Sequence, residues 1–244
     1  MHAFYIEVAG EPGKVCILPR EESKHAARVL RLKAGDEICV MDGAGSRFLG
    51  RIGQVNGDEV AVTLLKPLDA HEAPVRVTLY QGLPKADKLD FIAQKLTELG
   101  AAVLTPVRMD RCVTKWDDRD AEKRRERLSR IAREAAKQCG RACALEIATA
   151  RTWRQALEDM RRHDLLIVPW EEARGQRMKD VFAERPQAVD IGIVVGPEGG
   201  MSEAEVQAML GMGAQAVTLG PRILRTETAA VVAAAMAMTL WGDL

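Results

Sequence analysis

The sequence predicts an α/β protein in two parts: a small β-barrel over residues 1–68, then a parallel sheet covered by helices from residue 75 onward. Three observations carry this. Short alternating or apolar runs separated by turn signals fill the first 68 positions, with one helix-forming stretch among them. From Val75 the rhythm changes to apolar runs alternating with amphipathic ones, the pattern of a sheet buried on both faces. Between the two, Pro67-Leu68-Asp69-Ala70-His71-Glu72-Ala73-Pro74 is polar and bracketed by prolines, so residues 69–74 are predicted as a linker.

In the first part strands are expected over residues 4–8, 15–18, 37–41, 48–55 and 60–65. Asn56-Gly57 lies between two of them and is a hairpin signal. A helix is expected over 22–32, with Gly35 beyond its end. In the second part a strand over 75–80 precedes a helix over 86–99. There Leu89, Ile92, Ala93, Leu96 and Leu99 share a face, and Gly100 supplies the stop. A strand over 103–107, a long charged helix over 121–139 and a helix over 152–160 follow. Strands over 165–168 and 191–195, a helix from 203, a strand over 216–219 and a last helix from 227 complete the series. The apolar stretch 229–238 is too short for a membrane span and reads as a buried helix.

The 244 residues suffice for one large domain or two smaller ones, and 35 basic residues balance 35 acidic ones. Whole-chain charge therefore gives no support to nucleic-acid binding, and any such function must rest on local clusters. One exists: residues 108–141 hold twelve Lys/Arg against seven Asp/Glu, with Arg124, Arg127 and Arg141 among them. Arg28, Arg31 and Lys33 form a second patch. Five cysteines without framework spacing, and no basic-then-apolar leader, point to a reduced, cytoplasmic protein. Cys139 and Cys143 lack a second ligand pair, so no metal is expected. His25, His71 and His163 are isolated and read as structural or surface residues.

The chemistry is concentrated near the end. Val195-Gly196-Pro197-Glu198-Gly199-Gly200 follows an apolar strand and leads into Ser202-Glu203-Ala204-Glu205, which fits a helix capping box. Leu219-Gly220-Pro221-Arg222-Ile223-Leu224-Arg225 again joins a strand to a helix. Loops at the carboxyl ends of parallel strands bind ligands, and two such loops brought together would make a pocket walled by backbone, suited to a flat polar cofactor. Neither a dinucleotide fingerprint nor a phosphate-loop lysine is present. Arg225 stands at a helix start, where a cation opposes the helix dipole and so suggests a site role; its alternative is an ion pair to Glu227 or Glu198.

These two motifs, with Lys95-Leu96-Thr97-Glu98-Leu99-Gly100, Gln138-Cys139-Gly140-Arg141, His25-Ala26-Ala27-Arg28-Val29-Leu30-Arg31 and Asp42-Gly43, resemble the ribosomal RNA small subunit methyltransferase E family of the SPOUT superfamily. The resemblance spans nearly the whole chain. It implies a trefoil-knotted C-terminal domain over residues 75–244 that binds S-adenosyl-L-methionine, a PUA-like RNA-binding barrel over 1–68, and a homodimer. It also implies methylation of N3 of one uridine in 16S rRNA, within the 30S subunit. On this reading Val168, Pro169, Val195, Gly196, Pro197, Gly199, Gly200, Leu219, Gly220, Ile223, Leu224 and Thr228 surround the cofactor. Arg225 steadies the uracil anion or grips a phosphate, and Glu198 is the nearest acidic candidate for a base, or only orients its loop. Arg28, Arg31, Lys33, Arg124, Arg127 and Arg141 are the candidate RNA contacts. Two positions depart from the family pattern: His2-Ala3-Phe4 replace an early arginine, and Ala86 replaces a glycine after Pro84-Lys85. The alternatives are a SPOUT methyltransferase acting on transfer RNA, and a non-catalytic PUA-type RNA-binding protein.

Overall fold

A computed structural model describes every residue except Arg174. The chain forms two compact units, residues 1–72 with 136–144 and residues 73–135 with 145–244. The expected linker is thus divided between them, and residues 136–144 rejoin the first unit.

The first unit contains β1 (Ala3–Tyr5), β2 (Val15–Ile17), α1 (Arg20–Lys24), β3 (Glu37–Met41), β4 (Arg47–Asn56) and β5 (Glu59–Leu68). Its sheet runs β1-β3-β4-β5-β2, with β1 parallel to β3 and the other pairs antiparallel. Gly57 takes φ 62 in the two-residue β4–β5 turn, a conformation that costs glycine no Cβ clash. Alternate side chains of β5, Val60, Val62 and Leu64, meet Phe4, Ile38, Val40 and Ile52 in one buried cluster. The helix expected over 22–32 is shorter. After α1 the chain forms a single π turn, His25–Val29, and leaves it at Arg31, whose φ of 54 ends any helix. Buried Ser23 anchors this turn by donating to the Leu18 carbonyl at 2.9 Å and accepting from the Val60 amide at 3.2 Å. In the returning segment, Glu72 holds Arg141 at 2.7 Å and accepts from the Cys143 amide at 2.8 Å.

The second unit contains β6 (Arg76–Gly82), α2 (Lys88–Glu98), β7 (Val103–Arg108), α3 (Asp118–Cys139, up to residue 135), β8 (Glu146–Ile147), β9 (Arg151–Thr152), α4 (Trp153–Met160), β10 (Leu165–Pro169), α5 (Met178–Glu184), β11 (Asp190–Val195), α6 (Glu203–Leu210), β12 (Gln215–Val217) and α7 (Thr226–Trp241). All its strand pairs are parallel, in the order β12-β10-β11-β6-β7-β8, with β9 also on β7. Such pairing puts every strand's carboxyl end on one edge, where the loops after β10, β11 and β12 gather. Thr152 with Gln155, and Ser202 with Glu205, form capping boxes that start α4 and α6. Ala230, Ala233, Ala234 and Ala237 are fully buried, letting α7 lie close on β6 and β11. His163 links Tyr80 (2.9 Å) to Asp190 (2.6 Å), a structural bridge between neighbouring strands. No helix among the described residues is long and apolar enough to cross a membrane.

Ala86 has φ 53, left-handed backbone that an L side chain resists. The position where the resemblance implies glycine is therefore a strained one here. Ala86→Gly is expected to raise stability by about 0.5–1 kcal/mol, the relieved strain exceeding glycine's entropy cost. Urea unfolding checks it; an unchanged or lower midpoint contradicts the strain.

Candidate active site

The loops after β10, β11 and β12 enclose a cavity of about 360 Å³ that includes Pro169, Val195, Gly196, Pro197, Gly200 and Leu224, and a contiguous lobe of about 80 Å³ that includes Leu219 and Gly220. Gly196 is where backbone must approach backbone: a Cβ there would stand 2.9 Å from the Gly200 carbonyl carbon. Gly200, at φ 71, turns the loop toward α6. The loop is braced from outside. Arg111 donates to the Gly199 carbonyl at 3.1 Å, while buried Glu205 accepts from the Ser202 and Asp110 amides, each at 2.8 Å.

Gln81, at the end of β6 and wholly buried, ties two of the loops together. Its Nε2 lies 3.2 Å from the Gly196 carbonyl, 3.4 Å from the Val195 carbonyl and 2.9 Å from Thr226 Oγ1. Thr226 in turn donates to the Gly196 carbonyl at 2.6 Å. The first residue of α7 is therefore fixed to the loop after β11, and Arg225, its N-cap residue, is held at the cavity wall.

Lys88 settles the fate of Arg225. Its ammonium sits 2.9 Å from Glu198 and 3.0 Å from Glu227, the two carboxylates expected to compete for that arginine. Arg225 makes no ion pair among the described residues and is exposed. Glu198 also accepts from the Lys85 amide at 3.0 Å. Burial alone would raise its pKa, but the Lys88 and Lys85 hydrogen bonds outweigh burial and hold it below the ordinary 4.5. A carboxylate so stabilised is a poor proton acceptor; its geometry is that of a loop latch. Glu227 is lowered likewise, against its own burial, by its backbone amide and by Lys88.

Depressed carboxylate pKa values stabilise the fold above the ordinary 4.5, and that contribution is lost as pH falls through the folded values. Lys88→Met leaves two carboxylates facing each other and is expected to cost about 1–2 kcal/mol at neutral pH. The gap to the native protein should narrow as pH falls below 4.5 and the two carboxylates protonate through their depressed folded values. Thermal unfolding of the two proteins at pH 7 and pH 3.5 tests this; a gap that does not narrow in acid contradicts the latch.

Not every expected residue faces the cavity. Val168 is fully buried in the core, one residue short of the strand end, because the cavity begins at Pro169. Gly199 faces Arg111, and Thr228 points outward on α7, with Thr226 and Ala229 lining the wall instead. Ile223, 87% exposed, borders both lobes. Lys88, Met201, Thr226, Ala229 and Gln81 carry no local signal apart from Thr226's place beside Arg225. Of the expected RNA contacts, Arg31 and Lys33 are exposed, and Arg28 pairs with Asp58 at 2.6 Å. Arg124 stacks over Trp116, and Arg127 reaches Asp87 and Asp90. Arg141 is 5% exposed, because Glu72 draws its guanidinium inward and away from solvent.

The cavity fits S-adenosylmethionine by its donor set. Val195, Met201, Ile223 and Leu224 offer apolar walls for adenine, backbone groups of the glycine loops offer donors and acceptors, and Glu171 offers a carboxylate for hydroxyl or ammonium groups. Among the described residues no group of three or more His, Cys, Asp or Glu could hold a metal ion.

Residues 71–238 match the RNA methyltransferase domain and residues 18–65 the RNA methyltransferase PUA domain. Fold, cavity and match together define an RNA methyltransferase with a PUA-type accessory domain. The chain is 36% identical to the ribosomal RNA small subunit methyltransferase E of Bacillus subtilis (strain 168), over 96% of this chain and 94% of that protein. It is 32% identical to the enzyme of the same name from Mycobacterium bovis, over 94% and 88%. A crystal structure of ribosomal RNA small subunit methyltransferase E from Neisseria gonorrhoeae, bound to S-adenosyl methionine, superposes with a TM-score of 0.88 at 33% identity, over 100% of this chain and 99% of that one. A Legionella pneumophila methyltransferase structure, in complex with the bound cofactor SAM, gives 0.87 at 30% identity, over 99% and 98%. This chain belongs to the ribosomal RNA small subunit methyltransferase E family.

Proposed function

We propose that the protein methylates N3 of one uridine in 16S ribosomal RNA, in the context of the 30S subunit, using S-adenosyl-L-methionine and acting as a homodimer in the cytoplasm. The observation that carries this reading is the backbone-walled cavity with an uncommitted arginine at its rim. When bound, S-adenosylmethionine supplies an electrophilic methyl group. Pro169, Val195, Gly196, Pro197, Gly200, Leu219, Gly220, Ile223 and Leu224 would hold it. Methylation at N3 requires loss of the N3 proton, which would pass to solvent, and Arg225 would stabilise the negative charge that then develops on the uracil ring. Glu198 keeps its loop in place through Lys88 and is not assigned the proton.

The finer architecture belongs to the same proposal. A trefoil knot is supported by the path of the chain: β12 lies beyond β10 at the sheet's edge, yet Thr226, nine residues later, reaches Gln81 and Gly196 beside β6 and β11. A closed PUA-like barrel is supported by the five-stranded sheet around one apolar cluster. The homodimer is supported by α7, apolar on both sides: Val231, Val232, Ala235 and Met236, away from its buried alanines, are only half-covered. Arg31 and Lys33 are the RNA contacts proposed for the first unit.

Titration calorimetry with S-adenosylmethionine, followed by methyl transfer to small subunits, free 16S rRNA and transfer RNA, tests the reading. Cofactor binding with transfer to small-subunit RNA is expected. Transfer to transfer RNA alone, or no cofactor binding, contradicts it.

A further inference from the structure

The basic residues of α3 up to residue 135 fall into two sets. Arg124, Arg125 and Arg127 are committed: to the Trp116 ring at 5.0 Å, to Glu122 at 2.6 Å, and to Asp87 and Asp90 of the second unit. Arg119, Lys123, Arg130 and Arg133 are exposed and make no ion pair among the described residues. At 3.6 residues per turn these four lie within about 40° of one line along the helix, and that line runs about 21 Å. Buried Leu128, Ala132 and Ala135 occupy the opposite side. Among the described residues Glu126 is the one carboxylate inside the line.

A solvated helix face ordinarily mixes signs at i, i+3 and i, i+4. Here Glu122, Glu126 and Glu134 stand at those spacings, yet Arg119, Lys123, Arg130 and Arg133 make no ion pair among the described residues, and Arg119 with Lys123 and Arg130 with Arg133 are like-charged neighbours. Four exposed, unpaired cations in a row suit a linear polyanion; a single compact anion would need them to converge. The helix is also pinned, through Arg127, to Asp87 and Asp90 at the turn whose Lys88 lines the cavity.

We propose that Arg119, Lys123, Arg130 and Arg133 form a rail for RNA phosphates beside the methyl-transfer site, with Glu126 weakening the grip. The proposal rests on the RNA-methylating reading above. It moves the RNA contact on this helix from Arg124 and Arg127 to the uncommitted face.

The test uses full-length protein and a 16S rRNA transcript, with binding measured from 50 to 200 mM salt. Replacing all four residues with glutamine should lower the slope of log K against log salt by about 3, and weaken binding at least about tenfold at the low-salt end. Glu126→Gln should tighten binding about two- to fivefold, and Glu126→Lys should also steepen the slope by about 0.7. S-adenosylmethionine affinity should be unchanged throughout, because the cavity is untouched. An unaltered slope in the quadruple variant, or no gain from Glu126→Gln, overturns the rail even if the native protein methylates small-subunit RNA normally. A change of oligomeric state with an unaltered RNA slope also overturns it, assigning the face to protein contact. Native protein that binds cofactor and RNA but methylates no small-subunit RNA defeats the functional reading and leaves the slope test to judge the rail alone.

Discussion

Arg225→Ala is expected to slow methyl transfer about 10²–10³-fold, the loss typical of removing one donor to a developing oxyanion. The affinity for S-adenosylmethionine should change less than about threefold, since the cavity walls are backbone and apolar side chains. The expectation follows from what surrounds the residue. Lys88 pairs with both Glu198 and Glu227, and the guanidinium makes no ion pair with either among the described residues. Thr226, clamped to Gln81 and Gly196, fixes the backbone on which Arg225 stands. Arg225→Lys should recover only part of the rate, because an ammonium is a point charge without the planar fork. Single-turnover kinetics with calorimetry separates the two effects. Near-native turnover in Arg225→Ala would remove this residue from the reaction.

Gln81→Ala is expected to be the most destabilising change in the second unit outside its apolar core, at about 2–4 kcal/mol. The amide is wholly buried, and its loss strips a donor from the Val195 and Gly196 carbonyls and from Thr226 Oγ1. Because those acceptors belong to the loops lining the cavity, cofactor affinity should fall about tenfold, equivalent to about 1.4 kcal/mol. Thr226→Val should show a smaller version of both effects, since the valine keeps the shape and loses the hydroxyl. Urea unfolding and calorimetry on the same samples check this. An unchanged midpoint in Gln81→Ala would mean the clamp contributes nothing.

How much of this was legible in the sequence follows from how local each feature is. The loop 196–200 and the capping box of Ser202 and Glu205 depend on glycine, proline and a cap within ten residues, so they read directly. The central strands read equally well, because Ile191, Ile193 and Val194 form a run buried on both faces. β8 and β9, two residues each, and the seven-residue α5 are too short to show periodicity. Gln81 was invisible because Thr226 lies 145 residues away. Arg141 reads as a surface cation until Glu72, 69 residues earlier, is placed against it. Arg225 shows the limit most clearly. Its position against the helix dipole marked it locally, yet only Lys88, contributed by a different helix, decides between a paired and a free guanidinium.

Mass mapping of methylated nucleotides bears most directly on the central claim. Unmethylated small subunits are incubated with the protein and S-adenosylmethionine, and the 16S rRNA is digested and read position by position. A single new methyl group on N3 of one uridine, absent when Arg225→Ala replaces the native protein, is the expected result. A methyl group on a ribose or another base, or modification of transfer RNA with 16S rRNA untouched, would contradict the account.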